Sequence, residues 1–550
     1  MGTSAHRIVV LGGGFGGVHA ALELERLRRR GTPIEVSIVN RENYLVFQPM
    51  LAEVVSGSVG VVDTVTPLRR LLSATRIYIR EIEGVDIEAR TVTLGPGILP
   101  RPTVIPYDSL VVALGTVTDF RGQPGLPEHA LPFKSLADAI SLRNHLIHVL
   151  EQASVEEDVE LRREMLTFVV AGGGFSGTEV VAEINDFLRG ACKRVYRSIA
   201  LSELRVVLVH SGERVLEREL TPRLSEYATR TLARCGVELL LRQRLSAATP
   251  AAAVLADGTR IATRTLVSTV PTSPNPVTAG LGLPTERGRL VCDGTLRVEG
   301  REDVWALGDC ALVPMPDGAG FAPPTAQHAI RQARVVAANV VAHLTGGPQT
   351  RFTFTGLGKL GALGHRRAVA ELPGGVRLSG FLAWVMWRAV YWAKLPGATR
   401  KLRVALSWLV DLVLPPDPLQ LNLGAGRGMS QAHFEPGDSV FHQGDLGDRL
   451  YMILSGEAEV VRRENGADMT LARLGPGEYF GEAALLGRIP RTATVQALTP
   501  MDVLTLPRGD FQALLGSLPD LRESIEDVAA RRAAQNADRV GWAGRRQFSE

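Results

Sequence analysis

The chain has 550 residues, enough for about three to five domains of the usual size, roughly 100–200 residues each. It carries 61 Lys and Arg against 58 Asp and Glu, so its net charge is only +3, and 45% of its residues are hydrophobic. This composition excludes a disordered chain and argues against a strongly basic nucleic-acid binder, so no nucleic-acid partner is expected.

Cysteine usage and apolar runs favour a reducing, cytoplasmic environment. The four cysteines show no Cys-x-x-Cys spacing and cannot form a disulfide scaffold: Cys192, Cys235, Cys292 and Cys310. We find no secretion signal and no apolar run of about 18 residues, so neither export nor a transmembrane helix is expected. No metal site is predicted.

Two segments of the chain repeat one pattern. Residues 8–17 (IVVLGGGFGG) and 168–177 (FVVAGGGFSG) each consist of an apolar run and a glycine turn, followed by a helical stretch. A second apolar run follows each segment, at residues 35–39 and 205–209. The pattern predicts two βαβ units in one chain.

Each glycine turn has the spacing G-x-G-x-x-G between a strand and a helix. The first glycine permits the tight turn, the second lets backbone amides approach a pyrophosphate, and the third allows close helix–strand packing. The pyrophosphate would lie at the helix N-terminus, where free N–H groups favour an anion. The sequence therefore predicts two dinucleotide sites, at Gly12, Gly14, Phe15 and Gly17, and at Gly172, Gly174, Phe175, Ser176 and Gly177.

The residues that end the second strands depart from the usual acid. The first unit has Asn40, followed by Arg41, and the second has His210. An asparagine can still bind a ribose diol. His210 carries no negative charge to repel a 2′-phosphate, so the preference for NADH over NADPH stays open.

The two units, together with residues 303–310 (DVWALGDC), resemble the two-dinucleotide flavoprotein reductases. Residues 43–50 (NYLVFQPM) and 323–332 (PPTAQHAIRQ) further resemble type II NADH:quinone oxidoreductases, the single-subunit respiratory enzymes. This resemblance covers about residues 5–420. It implies FAD in the first unit, NADH in the second and a quinone as electron acceptor.

The resemblance also implies roles for individual residues. Those expected at the flavin are Gly115, Gly308, Asp309, Ala326 and Gln327, and those expected to be catalytic are Glu179, Gln327, Arg331 and Gln332. Glu179 matches a family glutamate near the nicotinamide–flavin interface, although an acid in a first helical turn also complements the helix dipole. The family usually has a glutamine where this chain has Arg331, so the acceptor stays open. A polar helix N-terminus without chemistry is the alternative for Gln327 and Arg331.

Residues 380–396 hold three of the six tryptophans, and Trp408 follows. Residues 376–428 carry seven bases and two acids. We expect an amphipathic helix pair on an anionic membrane surface, with Trp384, Trp387 and Trp392 at headgroup depth. The protein would then lie peripherally on the cytoplasmic face of the membrane. A homodimer interface or an ordinary core helix would also suit this composition.

Residues 480–495 (FGEAALLGRIPRTATV) resemble the phosphate-binding cassette of cyclic-nucleotide-binding domains. Arg491 would bind the cyclic phosphate, Glu482 the ribose 2′-hydroxyl, and small residues would leave backbone amides free to donate. Thr492 leaves the choice between cAMP and cGMP open. The predicted ligand residues are Gly481, Glu482, Ala484, Arg491, Thr492 and Ala493.

These observations predict an α/β protein with two Rossmann-like domains, membrane-surface helices and a C-terminal all-β jelly-roll domain. The expected parts are the FAD-binding domain (1–117 and 265–375), the NADH-binding domain (118–264), the helices (376–424) and the cyclic-nucleotide-binding domain (425–550). Because the jelly roll follows the helices closely, we expect it to contact them rather than the NADH-binding domain. A bound cyclic nucleotide would then alter membrane docking or quinone access.

The function that we expect is FAD-dependent oxidation of NADH by a membrane quinone, modulated by a cyclic nucleotide. The alternatives are a nucleotide-sensing regulatory protein with a redox or docking flavin module, and a soluble NAD(P)H:acceptor reductase. A disulfide reductase would need a paired-cysteine motif, and a sulfide:quinone oxidoreductase would need spaced reactive cysteines. This chain has neither arrangement.

Overall fold

The computed structural model describes residues 5–532, apart from 96, 98–102, 121, 270–271, 319, 412–417, 420–429, 446, 465–466, 488, 518–524, 526 and 529. Four parts can be distinguished. They are a first region (residues 5–118 and 276–355), a second region (122–268), a helical hairpin (381–411) and a barrel (430–517).

Residues 6–118 form β1 (His6–Leu11), α1 (Phe15–Arg29), β2 (Ile34–Asn40), β3 (Tyr44–Val46), α2 (Leu51–Ser56), β4 (Val65–Pro67), α3 (Leu68–Leu71), β5 (Arg76–Ile79), β6 (Ile82–Asp86), β7 (Thr91–Leu94), β8 (Thr103–Pro106), β9 (Ser109–Val112) and β10 (Thr116–Thr118). Residues 126–274 add α4 (Leu126–His129), β11 (Ala130–Pro132), α5 (Leu136–Val155), α6 (Val159–Met165), β12 (Thr167–Ala171), α7 (Phe175–Arg194), β13 (Arg205–His210), α8 (Pro222–Arg234), β14 (Val237–Leu241), β15 (Leu245–Thr249), β16 (Ala252–Leu255), β17 (Arg260–Ala262), β18 (Thr265–Ser268) and β19 (Thr272–Pro274). Residues 276–411 add α9 (Pro276–Ala279), β20 (Thr285–Glu286), β21 (Arg289–Val291), β22 (Val304–Ala306), β23 (Ala311–Leu312), α10 (Ala326–Thr345), β24 (Lys359–Ala362), β25 (Ala368–Glu371), β26 (Arg377–Gly380), α11 (Phe381–Lys394) and α12 (Ala398–Asp411).

Two five-stranded parallel sheets carry the glycine turns. The first runs in the order β22-β9-β1-β2-β5 and the second in the order β11-β18-β12-β13-β14. β1 and β12 are the central strands, and their apolar residues are almost fully buried. Helices on both faces of a parallel sheet explain why these strands are apolar along their whole length. Both predicted βαβ units are therefore confirmed.

The barrel consists of two antiparallel sheets. Its elements are β27 (Ser430–Phe434), β28 (Ser439–Phe441), β29 (Arg449–Ser455), β30 (Ala458–Glu464), β31 (Ala467–Leu474), β32 (Tyr479–Phe480), α13 (Glu482–Gly487), β33 (Thr494–Ala497), β34 (Met501–Pro507) and α14 (Arg508–Ser517). The sheets run in the orders β27-β34-β29-β32 and β28-β33-β30-β31, as expected for a jelly roll. The helix predicted around residues 510–534 appears as α14 and as helical residues 525, 527–528 and 530–532, and its remainder lies outside the described residues.

The expectation that the barrel avoids the NADH-binding domain is wrong. β27 of the barrel packs against α4 and β15 of the second region. An ion pair of 2.7 Å between Arg260 and Asp438 lies at the same interface. The interface joins residues far apart in the chain, 178 positions for Arg260 and Asp438 and 304 for His129 and His433, so no local sequence pattern indicated it.

The third glycine of each turn gives a test of the fold. A Cβ added at Gly17 would lie 1.9 Å from the carbonyl oxygen of Gly12, and one added at Gly177 would lie 1.9 Å from that of Gly172. We therefore expect Gly17→Ala to lower the free energy of unfolding of the first region by about 1–3 kcal/mol, because the helix must move away from the turn. Thermal unfolding with excess FAD measures this.

Gly84→Ala is the matched control, because an added Cβ there meets nothing within 4 Å. Its unfolding midpoint should equal that of the wild type. Equal midpoints for Gly17→Ala and Gly84→Ala would show that the close packing at the turn contributes nothing.

Candidate functional site

The two glycine turns are held by side chains at the ends of the neighbouring strands. The backbone N–H of Gly13 donates to Oδ1 of Asn40 at 2.8 Å. The N–H of Gly173 donates to Nδ1 of His210 at 3.2 Å. Asn40 and His210 thus perform the same positioning task in the two units, although their chemistry differs.

The helices that follow both turns start without a side-chain cap. Gly14 and Gly174 occupy the N-cap positions of α1 and α7. Neither glycine has a side chain that could accept a hydrogen bond from the first N–H groups of its helix. A Cβ added at Gly14 would meet nothing within 4 Å, so the space in front of this helix end is open. Open N–H groups beside a glycine cradle fit the pyrophosphate of a dinucleotide.

Gly308 and Asp309 close the first region's cradle from the other side. Oε1 of the buried Gln332 accepts the N–H of Gly308 at 2.8 Å, which fixes the turn that carries Asp309. Burial raises the pKa of Asp309, and the nearby charge of Lys134 acts against that rise. Lys134, whose ammonium donates to the hydroxyl of Thr116, was not singled out by the sequence analysis. Its position between the two regions supplies a cation where the ribityl–phosphate part of FAD is expected.

The second glycine turn opens into a cavity of about 700 Å³. Gly172, Gly174 and His210 line it. Because Nδ1 of His210 accepts the N–H of Gly173, the proton of the neutral ring lies on Nε2. That buried Nε2 makes no hydrogen bond of good geometry among the described residues, although the backbone of Arg214 lies close enough to the ring to oppose the lowering of the pKa of His210 by burial.

Glu217 supplies the negative charge that His210 lacks. It lines the same cavity, and backbone N–H groups of Glu213 and Arg214 donate to its Oε2 at 2.9 and 3.4 Å. These bonds lower the pKa of Glu217, so it is ionised at neutral pH. A Cβ added at Gly212 would lie 2.1 Å from Oε1 of Glu217 and 2.7 Å from Nε2 of His210, so both groups face one spot. Sequence reasoning missed Glu217 because it lies in a loop beyond the strand end.

Other residues predicted at the dinucleotide sites differ in their surroundings. The rings of Phe15 and Phe47 pack edge to face, with 5.8 Å between their centres. The ring of Phe175 packs on Gly361. Arg41 extends into solvent beside two acids, and Ser176 is exposed. Gly115 adopts a positive φ of 66° directly before β10, and Ala326 is the first residue of α10.

Glu179 lies where the two regions and the hairpin meet. Its Oε1 accepts the N–H of Ala362 at 3.0 Å. Burial raises the pKa of this carboxyl to about 8, and the charge of Glu53 adds to the rise. Glu179 is therefore protonated at neutral pH. The same burial raises the pKa of Tyr391, which lies beside Glu179 on α11.

The three polar residues at the start of α10 have separate tasks. Gln327 bonds the loop before β24, because its Oε1 accepts the N–H of Leu357 at 3.0 Å. Arg331 stacks on the ring of Phe354, with 4.0 Å between the guanidinium carbon and the ring centre. Gln332 holds Gly308. These contacts give each side chain a structural task, and the catalytic roles expected for Gln327, Arg331 and Gln332 stay predictions.

The hairpin corrects the expectation for the tryptophans. Trp384, Trp387 and Trp408 are buried, and only Trp392, 40% exposed, reaches the surface. The cause is Arg388, which is also buried and lies 4.1 Å from the ring centre of Trp384 and 4.6 Å from that of Trp408. Trp384 and Trp408 cover this charge and Trp387 is buried, so the expectation is wrong for Trp384 and Trp387, whereas for Trp392 it stays a prediction.

The exposed face of the hairpin is apolar and mostly aliphatic. Its exposed apolar residues are Phe381, Leu382, Val385, Trp392, Leu402, Leu406, Leu409 and Val410. Arg377, Lys394 and Arg403 are exposed on the same elements or just before them. Within the part of the chain that the structure describes, no helix has both the length and the apolar character needed to cross a bilayer.

The barrel holds a second cavity, of about 690 Å³. All six residues predicted to bind a cyclic nucleotide line it: Gly481, Glu482, Ala484, Arg491, Thr492 and Ala493. Arg491 donates to the carbonyl oxygens of Gly481 and Arg449, each at 2.8 Å. Its buried Nε has no partner among the described residues, which fits an incoming anion.

The cysteines take no part in these sites. Burial raises the pKa of Cys310 to about 11 and also raises that of Cys292, so neither is a reactive thiolate. All four cysteines are free. Among the described residues, no group of three or more His, Cys, Asp or Glu could hold a metal ion.

Three family models match successive parts of the chain. The pyridine nucleotide-disulphide oxidoreductase model matches residues 6–333, the NDH2 C-terminal domain 357–414, and the cyclic nucleotide-binding domain 431–517. A solved NDH2 structure from Plasmodium falciparum in complex with NADH shares the fold, with a TM-score of 0.69 and 18% identity over 75% of this chain and 99% of its own.

Two relatives are similar along most of their length. The type II NADH:quinone oxidoreductase NdhA of Mycobacterium tuberculosis is 30% identical over 74% of this chain and 87% of its own. The demethylphylloquinone reductase NdbB of Synechocystis is 32% identical over 73% of this chain and 95% of its own. The chain belongs to the type II NADH:quinone oxidoreductase family and carries a cyclic nucleotide-binding domain after the family's C-terminal domain.

Proposed function

We propose that this protein oxidises NADH through bound FAD and delivers the electrons to a membrane quinone. The observation that carries the proposal is the pair of glycine turns, each followed by an uncapped helix end, together with the half-buried Glu179 on the helix that follows the second turn. The raised thiol pKa values of Cys292 and Cys310 disfavour a cysteine relay between the two cofactors.

Bound FAD would supply the redox chemistry, because it accepts a hydride from NADH and gives up two electrons. The chain's own residues orient the reactants and exclude water. Gln332 fixes the turn of Gly308 and Asp309, while Gln327 fixes the loop before β24. Phe15 and Phe47 form an apolar wall beside the first cradle.

Reduction of a quinone to a quinol also needs two protons. Glu179 is suited to hold one at its carboxyl group, because burial keeps it protonated up to a pH of about 8. This raised pKa lies near the working pH, as general acid catalysis requires. We assign Glu179 the role of proton holder for the acceptor side.

Stopped-flow measurements test this function together with the role of Glu179. NADH should bleach the flavin, and a menaquinone or ubiquinone analogue should restore its colour. Glu179→Gln should slow restoration by about 100-fold, because the amide has no acidic proton to give. In the wild type, restoration should slow as the pH rises through about 8, where Glu179 loses its proton.

The bleaching step is the internal control, since it needs no proton from Glu179. The proposed function is wrong if no quinone restores the flavin, and a pH profile shared by wild type and Glu179→Gln would remove Glu179 from the mechanism.

Glu217 is expected to set the preference between the nicotinamide dinucleotides. Its carboxylate faces the same spot as Nε2 of His210, where the ribose hydroxyls are expected, and would repel a 2′-phosphate. Glu217→Gln should therefore lower the ratio of kcat/KM for NADH to that for NADPH by about tenfold, equivalent to about 1.4 kcal/mol. Steady-state kinetics with both nucleotides measure this ratio.

His210→Asn is the matched control. It reproduces the Asn40 arrangement of the first unit, keeps an acceptor for Gly173 and leaves Glu217 in place. The ratio should stay close to that of the wild type. A ratio that is unchanged in Glu217→Gln would show that this acid does not face the ribose.

The aliphatic face of the hairpin favours a peripheral location on an anionic membrane. Its exposed side chains match the depth of an interfacial helix, and the bases beside them match anionic headgroups. Such a surface would place quinone close to α11.

The variant that tests this location replaces four exposed aliphatic residues by serine: Leu382, Val385, Leu406 and Leu409. We expect it to leave anionic vesicles in a flotation assay, because each lost side chain removes apolar contact with the lipid. NADH oxidation by a soluble dye should persist. Val155→Ser with Val159→Ser is the control, since these residues, at the end of α5 and the start of α6, are 76% and 75% exposed. Equal vesicle binding by both variants would exclude the hairpin as the docking surface.

The barrel cavity favours a cyclic nucleotide as a modulating ligand. The buried Arg491, with one nitrogen lacking a partner among the described residues, suits the cyclic phosphate. Glu482 lines the same cavity and would accept from a ribose hydroxyl, while its Oε1 accepts from Arg532 at 3.0 Å.

A further inference from the structure

A short segment, residues 123–129, lies between the NADH cavity and the barrel. Gln123 and Leu126 line the cavity beside the glycine turn of the second unit. Nε2 of Gln123 donates to the carbonyl of Leu245, another residue of the cavity wall, at 2.7 Å. The segment is therefore part of the structure that shapes the NADH site.

The opposite side of this segment is held by β27 of the barrel. Nε2 of His129 lies 3.0 Å from the backbone nitrogen of His433 and 2.9 Å from its carbonyl oxygen. Burial lowers the pKa of His129 to about 4, so the neutral ring acts as a hydrogen-bond partner and not as a cation. A Cβ added at Gly125 would lie 1.8 Å from the carbonyl oxygen of Ala248 and 3.2 Å from Cβ of His433, so the segment has little room to move independently.

Within the barrel, hydrogen bonds and strand pairing connect β27 to the nucleotide cavity. His433 bonds Oδ1 of Asp502 at 2.7 Å, which ties β27 to β34. β34 pairs along β29, and the carbonyl of Arg449 at the start of β29 accepts from Nη2 of Arg491 at 2.8 Å. Nη2 also donates to Asp448 at 3.4 Å, so both of its N–H groups have partners, and a cyclic phosphate that binds Nη2 as well as Nε, which has no partner among the described residues, would displace one of them. Binding thus changes a contact of the strand system that holds residues 123–129.

We propose that a cyclic nucleotide in the barrel changes the affinity of the second region for NADH, and that residues 123–129 carry the effect. This inference rests on the proposed function and names the step that is regulated. It replaces the expectation that the barrel acts on membrane docking or quinone access. The hairpin and its exposed face are not part of the route.

The coupling has a magnitude that can be measured. A ligand shifts an equilibrium only by its different affinity for two states, and coupling between sites is usually a factor of about 5–150. The factor is reciprocal, so NAD⁺ must change the affinity for the cyclic nucleotide by the same amount. We expect the Kd for NAD⁺, which leaves the flavin oxidised, and the KM for NADH to change about fivefold or more.

The experiment uses the full-length flavoprotein with and without saturating cAMP or cGMP. Four quantities are measured: the Kd for NAD⁺, the KM for NADH, the bleaching rate at saturating NADH and the KM for a quinone analogue. Only the first two should change. A cyclic nucleotide that binds without changing either, or that changes only the quinone KM, overturns the inference.

A double variant, His129→Ala with Arg260→Ala, tests the route. It removes two contacts between the barrel and the second region without touching either cavity. It should still bind the cyclic nucleotide but should lose the shift in the Kd for NAD⁺. Arg205→Ala is the matched control, because it breaks an ion pair of 2.8 Å with Glu238 in the same region, away from the barrel, and should keep the shift. A shift that survives in the double variant overturns the route.

The proposed ligand and the inferred route can fail separately. If neither cAMP nor cGMP binds, the proposed ligand is wrong. The Kd for NAD⁺ of the double variant, compared with that of the wild type, then shows by itself whether the interface with the barrel affects the NADH site. A Kd for NAD⁺ that differs from the wild type by fivefold or more, with an unchanged bleaching rate at saturation, supports the barrel as a positioning element for the NADH site. An unchanged Kd refutes it.

Discussion

The buried guanidinium of Arg388 is the interaction on which the arrangement of the C-terminal hairpin depends. A charge in the interior is costly unless it is paired and hydrogen-bonded. Arg388 lies between the rings of Trp384 and Trp408 and pairs with Glu53 at 3.4 Å. Glu53 also accepts from the indole of Trp408 at 3.4 Å. The hairpin therefore has one orientation on the first region in which this charge is compensated.

That orientation determines which side chains of the hairpin are exposed. It turns the aliphatic side chains of α11 and α12 outward, where they can contact lipid. Glu53, the partner of Arg388, lies on α2, and its negative charge strengthens the rise in the pKa of Glu179 that burial causes. The ion pair that orients the hairpin and the raised pKa of Glu179 thus share one carboxylate.

Much of the nucleotide-binding architecture could be predicted because its signals are local. A buried strand, a glycine turn and a helix are adjacent in the chain, and each glycine has a steric reason that one sequence reveals. The six barrel residues were also found together, since a compact cassette holds them. The tryptophans of the hairpin show where sequence-based prediction fails. Several tryptophans beside basic residues indicated a membrane surface, but only the three-dimensional position of Arg388 reveals which face of the hairpin is buried. Glu217 and the contact between His129 and His433 depend on loops and on distant pairing, which leave no periodic pattern.

The barrel and the hairpin contact different parts of the protein, so a ligand at one or the other would affect different steps of the reaction. The hairpin contacts α2 and β25 next to the acceptor side, whereas the barrel contacts α4 and β15 next to the NADH cavity. A device on the acceptor side would act on an enzyme whose flavin is already reduced and would leave it exposed to other oxidants. A device on the NADH side limits how much of the enzyme is reduced at all. Because coupling needs a physical route of packed groups, the site of contact decides which step a ligand can affect. The interface with the second region is the reason why we propose the entry of electrons, and not their exit, as the step that a nucleotide in the barrel regulates.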